Sequence, residues 1–343
     1  MFNPLYEITD KLLFNIKKIG ITVFELNIKR FPEIVLYELE KSAREISVNA
    51  STAIEGNPLP LTDVKQILKN APAHLRDSEQ EVINYNSALE YLNKVIAAGN
   101  LKFDIKFILC LHNIVMINLA GQHQAGKLRT EPVFVNNPKT GQTIYWPPDH
   151  EDVSALLDNL TDFVNKNRGK TDPLIIAGIF HKQFVIIHPF MDGNGRTARL
   201  LTKAILADVG LDTFNLFSFE NYYNRNVTLY FNNVGIFGNY YDLAESVDYT
   251  GWLEYFTEGI IDELLRVKKI LLESSVSPKT ELADYHKKIL ELIEKKGFTS
   301  DRDYSKLTER AKATRSLDFK RLIDMGLIQR HGKGKSTYYK LKK

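Results

Sequence analysis

Along most of the chain, apolar residues recur three and four positions apart, which is the spacing of a helix that packs one face against a core. The repeat is clear within the first hundred residues, for example at Leu12, Ile16 and Ile19. It returns further along the chain and predicts helices over residues 103–119, 153–164, 174–187, 197–209 and 252–272. The pattern therefore predicts a mainly α fold.

One stretch between these helices has a different pattern. Residues 132–136 (Pro-Val-Phe-Val-Asn) and 143–146 (Thr-Ile-Tyr-Trp) are rich in β-branched and aromatic side chains. Between them, residues 137–141 read Asn-Pro-Lys-Thr-Gly, and Asn, Pro and Gly are typical turn residues. We therefore predict a β-hairpin in this part of the chain.

The last part of the chain differs from the rest in both pattern and charge. Residues 273–281 contain three serines and a proline, which is typical of a linker. Beyond them, 17 Lys and Arg residues accompany 9 Asp and Glu residues from position 280 onward, although the whole chain has a net charge of only +3. A hairpin pattern follows helical spacing, and this order is typical of a winged helix-turn-helix. The predicted elements are helices over 282–296, 304–310 and 314–325 and a hairpin over 327–341.

These patterns divide the chain into four predicted regions. Its 343 residues exceed one ordinary domain, and its 44% hydrophobic and 25% charged residues are those of a folded globular protein. The regions are an N-terminal helical region (1–100), a core (101–272), a linker (273–281) and a winged helix-turn-helix domain (282–343).

The composition also bears on the cellular compartment. The single cysteine, Cys110, excludes an intrachain disulfide and favours a reducing compartment. Because both of its neighbours are leucines, we expect it to be buried. Residues 1–11 lack the basic and then apolar pattern of a signal peptide. The most apolar segment, 173–190, is interrupted at 181–183 and is too short to cross a bilayer. We expect a cytoplasmic protein that does not enter a membrane.

The clearest chemistry lies in residues 188–199, which read His-Pro-Phe-Met-Asp-Gly-Asn-Gly-Arg-Thr-Ala-Arg between two predicted helices. Gly193 and Gly195 permit positive φ, so backbone N–H groups can converge on a phosphate at the N-terminus of the second helix. Pro189 ends the first helix and leaves His188 facing the loop, where its imidazole can act as a base.

Three charged residues of the same segment suit a polyphosphate. Arg196 and Arg199 lie three positions apart on one helical face, and Asp192 offers a hard oxygen ligand for Mg²⁺. Each residue alone has a purely structural explanation, such as a buried histidine, a turn cap or a solvated helix face. Nine specified positions at roughly 5% usage each give a chance match on the order of 10⁻¹² per starting point, so together they indicate a site.

Residues 188–199 match without departure the signature of the Fic domain family, His-Pro-Phe-x-Asp/Glu-Gly-Asn-Gly-Arg-x-x-Arg. The resemblance implies a helical core with a β-hairpin flap. It also implies a protein adenylyltransferase, which transfers AMP from ATP to a Ser, Thr or Tyr hydroxyl of a target protein or of itself. In that reaction His188 would be the general base and Asp192 the Mg²⁺ ligand. The residues that it implies for binding phosphate are Gly193, Asn194, Gly195, Arg196 and Arg199.

Two further stretches resemble the same family. Residues 133–145 are similar to the flap, which registers a target segment by strand addition, and residues 126–131 are similar to the stretch that leads into it. Residues 221–226 resemble the downstream helices that lie near the adenine. This resemblance implies Tyr230 and Asn233 on the adenine side of the nucleotide.

Residues 51–56 (Ser-Thr-Ala-Ile-Glu-Gly) fit the inhibitory pattern of the family, Ser/Thr-x-x-x-Glu-Gly/Asn. The resemblance implies that Glu55, four residues after Ser51, pairs with Arg199 and takes the donors that the γ-phosphate of ATP needs. The hypothesis is autoinhibition in cis. An alternative is that Gly56 merely ends a helix, and both can hold. Some resembling proteins use this glutamate to remove AMP, which leaves de-AMPylation by the same site open.

Two alternative functions remain. One is the transfer of phosphate or of a different nucleotide on the same fold, although the intact Gly-Asn-Gly-Arg loop favours AMP. The other is a DNA-binding regulator with a vestigial core, against which the complete motif argues. The basic C-terminal module either binds DNA or docks a protein, and whether the chain forms a homodimer stays open. The residues that would meet DNA phosphates are Lys312, Arg315, Lys320, Lys333 and Lys335.

Overall fold

A computed structural model describes residues 2–29, 31, 33–70, 72, 74–99, 101–119, 124–136, 140–209, 216–274 and 282–342. The predicted linker lies outside these residues except for positions 273 and 274, and so do residues 137–139 of the predicted turn. The chain divides into two compact units, of which one comprises residues 1–30 and 40–270 and the other residues 31–39 and 271–343.

Helices make up most of the described chain, so the prediction of a mainly α fold is confirmed. Up to residue 274 they are α1 (Asp10–Asn27), α2 (Glu33–Ile54), α3 (Leu61–Lys69), α4 (Asp77–Ala97), α5 (Ile105–Met116), α6 (Val153–Asn167), α7 (Pro173–Ile187), α8 (Asn194–Leu206), α9 (Phe219–Arg225), α10 (Val227–Val234), α11 (Tyr240–Leu243) and α12 (Thr250–Ser274).

The central helix of the first unit is α7, which packs against α6, α8 and α10. Its start follows from local chemistry, because the Asp172 side chain accepts a hydrogen bond from Leu174 N and Pro173 occupies the first helical position. It is apolar and buried around nearly its whole circumference, as a helix in the middle of a core must be. No helix in the described part of the chain combines the length and the apolarity needed to cross a membrane.

The expectation that Cys110 is buried is wrong, since this side chain is exposed on α5. The apolar sequence of α5 continues around the helix, whereas its buried face comprises Phe107, Ile108, Leu111, His112, Val115 and Met116. Cys110 falls between these positions on the outward side. The exposure of Cys110 therefore follows from its position in the helical repeat and not from the leucines beside it in the sequence.

The predicted hairpin is formed by β1 (Val135–Asn136) and β2 (Thr143–Trp146), which pair antiparallel with Val135 opposite Tyr145. A third strand, β3 (Gly238–Asn239), was not predicted and pairs parallel to β2. With only two residues, it is too short to leave a pattern in the sequence.

The second unit contains α13 (Asp284–Lys296), α14 (Asp301–Tyr304) and α15 (Lys312–Asp324), followed by β4 (Ile328–His331) and β5 (Tyr338–Leu341), which pair antiparallel. Its core includes Leu290, Phe319, Leu322 and Ile328. The predicted position of the middle helix, 304–310, is wrong. Ser300 and Asp303 form a reciprocal capping box that starts this helix earlier.

Candidate active site

The loop between α7 and α8 owes its shape to two residues with left-handed backbones. His188 caps the C-terminus of α7 at φ 50°, ψ 60°, and Gly193 caps the N-terminus of α8 at φ 77°. A Cβ atom on Gly193 would lie 2.8 Å from Sδ of Met116. Glycine is therefore favoured at position 193 by its backbone conformation, and a larger residue would have to displace the Met116 side chain.

The side chain of Asn194 closes this loop on itself. Its Nδ2 donates to Phe190 O at 2.8 Å, and its Oδ1 accepts from Phe190 N at 2.9 Å. Both ends of the amide are thereby engaged. Any anion at this loop would meet the backbone N–H of Asn194, which belongs to the first turn of α8 and has no intrahelical partner.

The N-terminus of α8 is a positively polarised site flanked by two buried arginines. The N-cap residue, Gly193, has no side chain that could accept hydrogen bonds from the first-turn N–H groups. The helix dipole adds positive potential at the same place. Arg196 is 2% exposed and Arg199 is fully buried. Among the residues that the structure describes, Nε and Nη1 of Arg196 and Nη1 of Arg199 have no hydrogen-bond partner. Buried donors left in this way favour an anionic ligand.

Arg199 is held by α2. Its Nε donates to Ser51 Oγ at 2.7 Å, and its Nη2 donates both to Ser51 O at 2.9 Å and to Glu55 Oε1 at 2.7 Å. A Cβ atom on Gly195 would overlap Glu55 Oε1 and lie 3.0 Å from Arg199 Nη1. The Glu55 carboxylate therefore lies over the first turn of α8, where the polarised N–H groups are.

The turn that carries Glu55 is a Schellman ending of α2. Gly56 has φ 95°, Gly56 N donates to Ala53 O at 2.9 Å, and Asn57 N donates to Thr52 O at 3.1 Å. Gly56 thus ends the helix and, in doing so, leaves Glu55 on the face that meets α8.

A buried polar network, which the sequence did not reveal, supports the contact between α2 and α8. Glu220 on α9 is fully buried, and its carboxylate accepts from Ser47 Oγ at 3.0 Å and from Tyr85 OH at 2.9 Å. Its other oxygen pairs with Lys203 Nζ at 3.1 Å. Because Lys203 and Arg199 lie on the same helix, one buried carboxylate links α2, α4 and α8.

His188 has one ring nitrogen engaged by its own helix. Its Nδ1 lies 3.2 Å from Val185 O, which can only accept, so the geometry assigns the proton to Nδ1 and a lone pair to Nε2. Burial lowers the pKa of His188 below 6.5, and the Arg129 charge acts in the same direction, against Val185 O, Glu55 and Asp192. At neutral pH the ring is therefore uncharged.

Arg129 positions the backbone on which His188 sits, and sequence reasoning did not single it out. Its Nε donates to His188 O at 2.9 Å, its backbone N donates to Pro189 O at 3.0 Å, and its Nη2 donates to Pro148 O. This buried side chain joins the residues before and after the hairpin to the loop. Its place within residues 126–131, a stretch already similar to the family, was the available signal.

His112 on α5, which the sequence analysis did not single out either, supports the loop between α7 and α8. Its ring stacks on Phe190 at 3.5 Å between centroids, accepts from Gly126 N at Nδ1 and donates from Nε2 to Asp192 O at 3.0 Å. Burial lowers the pKa of His112 to about 4, so the neutral form that makes both bonds persists at neutral pH. A histidine within an apolar helix was the only sequence signal.

Arg196 contacts carboxylates on two sides. Its Nη2 donates to Asp192 Oδ1 at 3.1 Å, and its Nη1 lies 3.2 Å from Glu81 Oε1. The Asp192 side chain is 65% exposed, whereas Glu81 is 24% exposed. Asp192 is thus accessible to a ligand that arrives from solvent.

The two residues expected near the adenine occupy different environments. Tyr230 is buried, stacks on Tyr223 at 4.6 Å, and its hydroxyl lies 2.9 Å from His181 Nε2. Burial raises the pKa of Tyr230 to about 12, so the hydroxyl stays protonated. Asn233 is half-buried, and its carbonyl accepts from Lys182 Nζ at 2.7 Å. Of the two, Tyr230 lies close enough to Arg199 for the charge of that arginine to oppose the rise in the Tyr230 pKa.

Part of the chain is similar in sequence to known proteins. Residues 102–206 match the family model described as Fic/DOC family. The chain is 35% identical over 165 residues to protein adenylyltransferase fic-1 of Caenorhabditis elegans, covering 47% of this chain and 31% of that protein. It is 33% identical over 164 residues to protein adenylyltransferase Fic of Nematostella vectensis, covering 47% and 36%. The chain therefore spans only about a third of the length of these curated relatives.

Solved structures extend the likeness to the fold. Fic-1 (residues 134–508) from C. elegans aligns with a TM-score of 0.62 at 25% identity, covering 77% of this chain and 74% of that one. A Fic family protein from Desulfovibrio desulfuricans G20 aligns with a TM-score of 0.65 at 20% identity, covering 99% and 98%. Residues 102–206, which match the model of the Fic/DOC family, contain the loop, the buried arginines and His188.

Proposed function

We propose that this chain is a protein adenylyltransferase that transfers AMP from ATP to a Ser, Thr or Tyr hydroxyl of a target protein, and that Glu55 inhibits it in cis. One observation supports the proposal most directly. A neutral His188 lies next to the polarised N-terminus of α8, and at this N-terminus the carboxylate of Glu55 pairs with Arg199. The names of the relatives, all adenylyltransferases, support the same reaction. In this assignment residues 1–100 carry the inhibitory helix and residues 101–272 the catalytic core.

In the proposed reaction His188 Nε2 takes the proton of the target hydroxyl. The hydroxyl oxygen then forms a bond to the α-phosphorus, the bond from that phosphorus to the bridging oxygen of the β-phosphate breaks, and pyrophosphate leaves. Arg129 keeps the imidazole in place through the His188 carbonyl. Such reactions depend mainly on positioning and charge stabilisation, which fixed residues supply.

The α8 N-terminus would bind the phosphates. Backbone N–H groups of Gly193, Asn194 and Gly195 lie at the positive end of the helix dipole, and Arg196 and Arg199 would turn their unpaired donors to the outer phosphates. We place Tyr230 and Asn233 on the adenine side from the family resemblance alone.

The residues present fit Mg²⁺ bound together with ATP. The described part of the chain has no group of three metal-ligating side chains, but Asp192 offers one accessible carboxylate beside the phosphate site. Mg²⁺ in proteins commonly takes one or two carboxylates with substrate phosphate oxygens and water. When bound, it would neutralise charge on the phosphates, and Asp192 would release Arg196 to hold it.

The proposed inhibition follows from competition for one site. The Glu55 carboxylate takes Arg199 Nη2 and lies over Gly195, where a phosphate of ATP would otherwise be oriented. A charge-assisted hydrogen bond of this kind is among the stronger polar contacts in proteins. ATP would then bind in an unproductive position or not at all until the 55–57 turn moves.

The chemistry of transfer can be tested by the position of the label. We would incubate the Glu55→Gly variant and a protein extract with ATP labelled on the α- or the γ-phosphate, and then separate the proteins. The proposal expects label from the α-phosphate only, and none when His188→Ala is added. Label from the γ-phosphate that is lost with His188→Ala would instead establish phosphate transfer by this site and contradict the proposal.

We further propose that residues 282–343 form a winged helix-turn-helix that docks a protein. The order of α13, α14, α15 and the β4–β5 hairpin supports the fold. Of the residues considered for DNA, Arg315 is engaged with Asp301 at 2.7 Å, and the exposed side of α15 presents Leu317, which is 63% exposed. Both observations favour protein contact over phosphate contact. Binding of duplex DNA that weakens steeply with salt would contradict this assignment.

A further inference from the structure

The carboxylate of Glu81 on α4 stands between the first arginine of the active-site loop and the turn that carries Glu55. Its Oε1 lies 3.2 Å from Nη1 of Arg196, and its Oε2 accepts a hydrogen bond from Nδ2 of Asn57 at 2.7 Å. The two oxygens of one side chain thus contact two different parts of the site. Glu81 is mostly buried, with 24% of its side chain exposed.

Asn57 fixes the turn after α2 on three sides. Its Nδ2 also donates to Ser78 O at 2.8 Å, its Oδ1 accepts from Leu59 N at 3.1 Å, and its backbone N closes the Schellman ending on Thr52 O. Asn57 is only two residues from Glu55. A force that holds Asn57 on α4 therefore also holds Glu55 over α8.

The turn is in this way attached to both arginines of the active-site motif. At one end Glu55 meets Arg199 directly, and at the other end Asn57 meets Arg196 through Glu81. Arg196 is 2% exposed, so an exchange of its ion-pair partner takes place inside the protein, where charges interact more strongly than in water.

We propose that Glu81 is a positioning residue that couples the inhibitory turn to Arg196, so that a phosphate which engages Arg196 loosens the turn and helps release Glu55. The inference rests on the proposed function of Glu55 as an inhibitor. Glu81 itself touches neither the nucleotide nor the target. It acts by holding Asn57, and its carboxylate is needed because only two acceptor oxygens can serve Arg196 and Asn57 together.

The Glu81→Gln variant separates the two contacts, because a glutamine side chain has one acceptor oxygen and must give up one partner. In the otherwise wild-type chain we expect AMP transfer about tenfold faster, as for the loss of one hydrogen bond to a charged group. Asn57→Ala should act in the same direction. In the Glu55→Gly background, where no inhibitor remains, Glu81→Gln should change the rate less than twofold.

Glu90→Gln is the matched control. Glu90 is also a carboxylate on α4 that pairs with a residue of α2, Arg44 at 3.1 Å, but it does not touch Arg196 or the turn. It should leave the rate unchanged. An unchanged or slower rate in Glu81→Gln would overturn the proposal. So would a tenfold fall when Glu81→Gln is added to Glu55→Gly, since Glu81 would then orient Arg196 for catalysis.

A second measurement is independent of catalysis. Amide hydrogen exchange of Gly56 and Asn57, whose N–H groups close the turn, should become about tenfold faster in Glu81→Gln and stay unchanged in Glu90→Gln. Unchanged exchange in Glu81→Gln would overturn the coupling. If Glu55→Gly transfers no AMP while exchange is faster in Glu81→Gln, the proposed function fails and the structural coupling stands.

Discussion

Oε1 of Glu55 lies 2.7 Å from Nη2 of Arg199, and the same carboxylate stands over the first turn of α8 at Gly195. A negatively charged side chain of the protein thus occupies the place that the helix dipole, the buried arginines and the loop all prepare for an anion. Under the proposed function, this position would explain how one sequence can contain a complete motif and still be inhibited. Substitution of the residues around this pair can measure how much each contact contributes to stability and to catalysis.

The first prediction concerns the buried pair that supports α2 on α8. Glu220→Gln leaves the Lys203 ammonium buried without its carboxylate, and it should lower the free energy of unfolding by about 3–5 kcal/mol. Denaturant titration followed by the fluorescence of the buried Trp252 measures this loss. Glu220→Gln/Lys203→Met, which removes both charges, should recover most of it. A cost no larger than that of Glu90→Gln, an exposed pair, would rule out this role.

The second prediction is a pH dependence of stability from His112. Burial lowers its pKa in the folded protein to about 4, whereas the unfolded value is near 6.5, so the unfolded chain binds the proton first as pH falls. The contribution is therefore complete above pH 6.5 and is lost as pH falls to about 4, by about 3 kcal/mol in total. The difference in unfolding free energy between wild type and His112→Phe should shrink over this range. A difference independent of pH would contradict the assignment.

The third prediction separates positioning from chemistry at Arg129. Arg129→Lys keeps the charge but cannot serve the carbonyls of His188 and Pro148 together, so the imidazole should lose its alignment. In the Glu55→Gly background we expect kcat to fall on the order of 100-fold with little change in KM for ATP. Lys127→Ala, at an exposed neighbouring position, should leave kcat unchanged. A rise in KM with constant kcat would place Arg129 in nucleotide binding instead.

Local periodicity was sufficient to predict α7 and α8, because their apolar positions follow the helical repeat and Pro189 and Gly193 separate them. The same spacing indicates that Ser51 and Glu55 share one helical face. Glu81 and Glu220 could not be predicted in this way. Each contacts residues on helices that are distant in the sequence, so its partners depend on tertiary packing rather than on a local pattern.

The errors have equally specific causes. Flanking leucines suggested a buried Cys110, but the orientation of α5 decides which side chains face the core. The middle helix of the second unit was placed too late, because the capping box of Ser300 and Asp303 starts it at residue 301. The strand β3 has two residues and exists only through its pairing with β2.

The most direct test of the central claim is the intact mass of three proteins after incubation with ATP and Mg²⁺: wild type, Glu55→Gly and Glu55→Gly/His188→Ala. The account predicts that Glu55→Gly alone gains the mass of one or more AMP units, because it has the base and has lost the inhibitor. Equal gain in wild type would contradict inhibition by Glu55, and gain in the double variant would contradict His188 as the base. No gain in any of the three, with ATP binding established, would contradict self-modification by this site.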